Sequence, residues 1–301
     1  MYNTRMSRFA FLLSLAVVAN AAVAAPVDID TAAQLYQAAA IREQVRASLG
    51  SMPAHIRKLF QGNTSTPLSE PQLSAVNVAA VRAFRIDVFE APALSAFAAN
   101  LDADTLKKAE AFFSSDSGRR WVAADVGLAS LNDEDADKIM NGDMAAATTP
   151  QRNALFEKLE RAERSSESTI QILLSMGTAV ALGTAVGSGM DPGPVEERAR
   201  KSGEASRQTL EDDMREPMRR YVAYGYRDLS DADLKHVLSF LQSTAGKQYV
   251  SAYIASLDAG FHAMGRRCGE QLGESLRELA MAQPAPEHAD REPSAAAKPH
   301  P

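Results

Sequence analysis

The sequence predicts an all-α protein made of two pseudo-repeated antiparallel helical halves. Three observations lead there. Leucine, alanine, glutamate and arginine are plentiful, β-branched runs are few, and aromatics are only 6% of the chain, a balance that favours helix over sheet. Apolar residues recur at helical spacing along most of the chain. Finally, "LDADTLKKAEAFFSSDSGRRWV" at 101–122 aligns without a gap to "LSDADLKHVLSFLQSTAGKQYV" at 229–250, with a duplication offset of 128 residues.

From the N-terminus, residues 1–24 read as a secretory signal peptide. Arg5 and Arg8 form a positive start, and Phe9 to Ala19 is an apolar run too short to span a bilayer. Ala22-Val23-Ala24 then fits the A-x-A cleavage pattern. The expected location is the periplasm, with cleavage near Ala24. An oxidising compartment would permit disulfides, yet Cys268 is the single cysteine, so packing must supply the stability. The net charge of −6 and pI near 5.5 argue against nucleic-acid partners, which select a basic footprint.

The first half is expected over 27–145. Leu35, Ala38, Ala39, Val45 and Leu49 predict a helical pair across 28–60, followed by a polar loop over 62–71. Val76, Ala80, Val81, Phe84 and Val88 predict a helix from about Leu73 to Glu90, with Pro92 ending or bending it. The first copy of the repeat follows. Residues 132–152, acidic and then rich in Gly, Ala and Thr, are the expected boundary between halves.

The second half is expected over 152–282, its helical pattern restarting at Leu155. Leu159 falls where Leu35 does, and Ser175-Met176 matches Ser51-Met52, both at a spacing of 124. Residues 170–190 carry no charge and contain Gly183 and Gly187 in a GxxxG spacing. They read as a buried helix with a glycine-rich turn, the alternative being a membrane-contacting segment. Residues 194–216 mix both signs of charge and predict a solvated helix ended or kinked by Pro217. A last helix is expected from about Thr244 to Leu279, then a disordered Pro/Ala-rich tail over 283–301.

Within the repeat, each recurring residue has a mechanical reading. Leu101 and Leu229 precede the helix caps Asp102 and Ser230, and Asp233 completes a capping box. Leu106 and Leu234 begin buried stripes that Phe112 and Phe240 continue. Ser115 and Ser243 stop one helix and cap the next. Gly118 and Gly246 mark close backbone approach, and Trp121 and Tyr249 return to the core.

These residues form the pattern Leu-x4-Leu-Lys-x4-Phe-x2-Ser-x2-Gly-[Arg/Lys]-x-[Trp/Tyr]-Val. It resembles the signature of domain of unknown function 2059, a family of exported helical bacterial proteins. The chain departs from that signature at its proline, with Asp116 and Thr244, and at its tyrosine, with Phe113 and Leu241. The resemblance covers 22 residues in each half. It implies an exported all-α protein and carries no activity with it.

No G-x-S-x-G, H-E-x-x-H, Walker A, C-x-x-C or EF-hand pattern occurs. His262, Met264 and Cys268 are near in sequence, but on one helix the first two diverge by about 200°. Asp133, Glu134, Asp135 and Asp137 read as a solvated helix end or loop. His236 stands where Lys108 does, which argues for an exposed position rather than a catalytic base. No catalytic, cofactor or metal residue is therefore assigned. The functional expectation is a non-enzymatic envelope module that binds a protein or a small apolar ligand. The alternatives are membrane contact through 170–190 and a hydrolase site built between the halves.

Overall fold

The computed structural model describes residues 27–62 and 67–282, and every regular element among them is an α-helix. The expected signal peptide, the expected tail and the centre of the polar loop lie outside the described residues.

The chain opens with α1 (Ile29–Ala38), capped by Asp28, whose carboxylate accepts from the Asp30 and Thr31 amides. Ala40 is left-handed at φ 50°, and the chain turns there into α2 (Ile41–Ser48). After a short break comes α3 (Met52–Gly62), so the expected helical pair is three helices. A capping box of Ser69 and Gln72 starts α4 (Glu70–Ala83). On α4 it is Val76, Ala79, Ala80 and Ala83 that are buried, whereas Val81 faces solvent.

The break expected at Pro92 falls earlier, at Phe84 and Arg85. Pro92 lies inside α5 (Ile86–Ala99). Its ring removes one backbone donor, but Phe89, Ala93 and Phe97 stay fully buried on one face and hold the helix through it. α6 (Ala103–Phe113) and α7 (Asp116–Ala129) form the first corner. The acidic stretch then folds as α8 (Asp133–Asn141), capped by Asn132. Its three leading acids sit in the first turn, where the helix dipole favours them. Left-handed Gly142 ends it at φ +90°.

α9 (Pro150–Glu163) is capped by Thr149 and ends at left-handed Arg164, φ 57°. α10 (Ser165–Gly187) keeps Gly183 and Gly187 within the helix. The turn comes after them, at Gly189 with φ +76°. α11 (Gly193–Gly225) continues past Pro217, so of the expected kink or stop there it is the stop that does not occur. α12 (Asp231–Gln242) and α13 (Thr244–Ala282) form the second corner. At about 1.5 Å per residue, the 39 residues of α13 span roughly 58 Å.

The two corners share their internal geometry. The Ser115 hydroxyl accepts from the Gly118 amide at 3.0 Å and donates to the Phe112 carbonyl at 2.6 Å. Ser243, Gly246 and Phe240 repeat those bonds at 3.0 and 2.6 Å. A Cβ at Gly118 or Gly246 would collide with that same carbonyl. The corners also meet. The Phe112 and Phe240 rings stack at 4.1 Å with 6° between planes. Thr105 donates to Gln248 at 2.9 Å, while Arg120 reaches Asp233 from the position 128 residues before Gln248.

Two apolar clusters form the core, and each draws residues from both expected halves. α13 serves both. Its Tyr249, Val250 and Ile254 belong to the cluster around the corners, and its Met264, Cys268 and Leu272 to the other. The widest helix–helix interface is α10 against α13. There Gly183 and Gly187 face the backbone of Arg266 and Glu270, and Gly269 and Gly273 face that of Val180 and Thr184. The GxxxG spacing thus serves packing inside this chain.

Glycine normally weakens a helix relative to alanine by about 1 kcal/mol. At Gly269 the neighbouring backbone should reverse that sign, because overpacking costs typically about 1–3 kcal/mol. Gly269→Ala should therefore lower the unfolding free energy by that amount in urea melts. Gly177→Ala, on α10 with nothing near its Cβ position, should leave it unchanged or raise it by up to about 1 kcal/mol.

Candidate functional site

Following α7 away from its corner, Trp121, Asp125 and Ala129 succeed one another at helical turns and share one face. On α13 the residues 128 further on, Tyr249, Tyr253 and Leu257, do the same. These two faces look at each other across a cavity of about 390 Å³. α2, α9, α10 and the end of α11 contribute the remaining walls. The volume lies in the ordinary range for a small-molecule site.

Two acids reach this cavity. Asp125 comes from α7, and Glu163 is the last residue of α9, brought inward by the left-handed turn at Arg164. Between them stands the hydroxyl of buried Tyr226, which follows α11. It lies 2.7 Å from Asp125 Oδ1 and 2.9 Å from Glu163 Oε1. A phenol has one hydrogen and can donate to one of these oxygens. The other short contact requires a carboxyl that carries its own proton and donates to the phenol oxygen. The geometry therefore holds at least one proton on the acid pair.

Burial acts in the same direction. Both carboxyls line the cavity and are partly buried, keeping some accessible surface. Desolvation is the largest cause of their shifts. It pushes Asp125 up to about 7 and, aided by the neighbouring charges of Asp125 and Glu160, Glu163 up to about 8. The phenol of Tyr226 is raised as well, by burial and by both acids.

The remaining polar groups are mostly satisfied. Tyr253 donates to Gln44 at 3.0 Å, Tyr221 donates to the Leu128 carbonyl at 2.9 Å, and Ser165 donates to Glu163 at 3.1 Å. The Trp121 indole N–H lies beside the Tyr226 hydroxyl but reaches hydrogen-bond geometry with no acceptor. Among the described residues, no lysine, arginine or histidine lines the cavity.

The ten repeat residues singled out from sequence fall around this site rather than in its chemistry. Leu106, Phe112, Trp121, Leu234, Phe240 and Tyr249 are buried in one cluster. Ser115, Ser243, Gly118 and Gly246 build the corners beneath it. Of the ten, Trp121 and Tyr249 reach the cavity wall. His236 is exposed, edge-on to Phe112. His262 faces out while Met264 and Cys268 are fully buried, so the three cannot share one ligand. The Cys268 thiol is pushed up to about 12 by burial. A larger hollow of about 720 Å³ between α5 and α13 is a surface groove, whose Arg266 pairs with Glu270 at 3.5 Å.

Asp125, Glu163 and Tyr226 were not singled out from sequence. Two of them carry a local signal. Asp125 lies four residues after Trp121, and Glu163 four after Leu159, so each is an acid on an apolar face. No protein-family model, curated protein or solved structure matches the chain.

The acid pair predicts how stability depends on pH. Both folded-state values are raised above the ordinary 3.8 and 4.5, so the folded chain holds more protons than the unfolded one through that interval. Stability from the pair should be full below about pH 4 and fall as pH rises from there through about 8. Asp233 acts oppositely. Arg120, Ser117 and Ser230 hold its carboxyl below its ordinary value, so its contribution is lost only under strong acid. Thermal melts should show the decline between about pH 5 and 8. The double variant Asp125→Asn, Glu163→Gln should flatten it. An unchanged slope would remove the acid pair as its cause.

Proposed function

We propose that the protein is an exported, non-enzymatic binding module whose site is the cavity between its two halves. The ligand class is a small molecule with an apolar body and one polar end. The observation that carries this reading is the hydrogen-bonded set of Asp125, Tyr226 and Glu163 within walls of aromatic side chains. Preformed, mostly apolar cavities with a few convergent polar groups are the usual form of ligand sites.

We further propose that the halves arose by duplication. Three observations support it: the matched bonds of the two corners, the reciprocal contacts of Thr105 with Gln248 and Arg120 with Asp233, and the two left-handed non-glycine residues Ala40 and Arg164, 124 apart. On this reading, equivalent scaffold positions kept their residues while cavity positions diverged. Asp125 stands opposite Tyr253, and Glu163 stands opposite Ala39. The likeness of the corners to domain of unknown function 2059 supports export and a helical fold, and it adds no activity.

A hydrolase reading has one observation in its favour. An acid pair titrating near neutrality is what general acid–base chemistry uses. Against it, the Tyr226 hydroxyl occupies the space between the carboxyls. Membrane contact is supported by Leu173, Val186 and Met190, which lie exposed on and just after α10. By length and composition, the stretch Pro150–Gly187 could cross a bilayer, as a core helix also could.

The test is a thermal-shift screen of the mature protein against small aromatic and aliphatic compounds, beside a panel of hydrolase substrates. Binders should raise the melting temperature. Ser168→Phe, which places a ring in the cavity, should abolish the shift while the chain still melts cooperatively. Turnover lost in Asp125→Asn would replace the binding reading with the enzymatic one.

A further inference from the structure

We infer that the cavity binds the protonated form of an organic amine, its ammonium held by Asp125 and Glu163 and its apolar body against Trp121, Tyr249 and Tyr253. This rests on the reading of the cavity as a binding site, and it names the ligand's charge and class.

The charge inventory carries the inference. Among the described residues, the cavity presents two carboxyls and no basic side chain. The titratable groups facing the pair from each packed element are acids or phenols. Tyr221 and Tyr226 come from α11 and its end, Tyr249 and Tyr253 from α13, and Glu160 from α9 beside Glu163. The charges that act most on Glu163 are two acids, Asp125 and Glu160, and Glu160 is itself occupied by the Ser166 amide and hydroxyl. Among the described residues, no basic side chain lines the cavity to pair with these carboxyls.

The walls suit an ammonium. Aromatic faces attract organic cations, and more strongly once water is excluded. A divalent metal needs more ligands than two carboxyls. Among the described residues, no group of three or more His, Cys, Asp or Glu side chains could hold one. An ammonium needs only acceptors within hydrogen-bond reach, and its three hydrogens match the two carboxyls and the Tyr226 oxygen.

Binding would be linked to protons. The resting pair keeps at least one carboxyl proton. When the ammonium enters, that O–H bond breaks and the proton leaves to solvent. The carboxylate so formed pairs with the cation, and the net charge of the site is unchanged. Affinity should therefore rise with pH across the interval where the pair would otherwise be protonated, as long as the amine itself stays charged.

The experiment is calorimetric titration with three probes of one shape: 2-phenylethylamine, 2-phenylethanol and 3-phenylpropanoate. Each is measured in two buffers of different ionisation heat. The amine should bind about tenfold tighter than the alcohol, and the carboxylate weakest. Only the amine should release protons, and its affinity should increase severalfold between about pH 6 and 8. In the double variant Asp125→Asn, Glu163→Gln the amine should fall to the level of the alcohol. Should that variant fail to fold, the buffer comparison on the wild-type chain decides alone. Alcohol or carboxylate binding as tightly as the amine, or amine binding without proton release, would overturn the inference and leave the cavity a binding site. Failure of the amine while another compound of the screen binds would do the same. No binding by any compound would overturn both.

Discussion

The stack of Phe112 on Phe240 is the contact on which the arrangement depends. Each ring is the last large apolar side chain before a corner, and each corner is shaped by a serine cap and a glycine that admits a carbonyl. Locking the rings face to face fixes the directions in which α7 and α13 leave the corners. One turn on stand Trp121 and Tyr249, and the next turn brings Asp125 and Tyr253. The cavity is thus a consequence of two helices diverging from one stacked pair. Aromatic contacts spread the constraint outward, from Phe113 to Trp121 and from Tyr249 to Phe97 and so to Tyr36 of α1.

A second constraint sets the far end. α13 leaves the corner cluster and lies along α10 with glycines on both helices at the contact. Backbones that close leave no room for side chains at those glycines, and Met176, Val180, Met264 and Leu272 fill the cluster beside them. The cavity lies between these two regions, near the start of α10, and among the described residues its two acids have no basic side chain beside them in its walls. Burying an acid without a cationic partner is costly, and the pair meets that cost by keeping protons and sharing them with Tyr226. Such a site is held ready for an opposite charge.

Much of the scaffold was legible in the chain. Ser230 with Asp233, Asp102, Ser115 and Gly118 act through bonds to residues three positions away, so their roles can be read from a short window. The prolines were misread for a tertiary reason. Pro92 sits in a helix held by buried Phe89 and Phe97, and α11 continues past Pro217 to Gly225. Local preference yields where a buried face continues on both sides. The acidic run at 133–137 was legible as a helix end but not as the start of α8, since its cap Asn132 is one residue among many polar ones. The site itself was least legible. Tyr226 meets Asp125 across 101 positions and Glu163 across 63. Only the placement of each acid on an apolar face gave any local sign.

The most direct measurement is a carbon-13 NMR titration of the side-chain carboxyls, with Asp125 and Glu163 assigned through Asp125→Asn and Glu163→Gln. A proton-holding pair predicts that both resonances titrate well above the ordinary carboxylate range, in the region of about 7 and about 8, and that each variant shifts the other acid's midpoint. Independent titration of both at ordinary carboxylate values would contradict a shared proton and remove the basis for a charged-ligand site in the cavity.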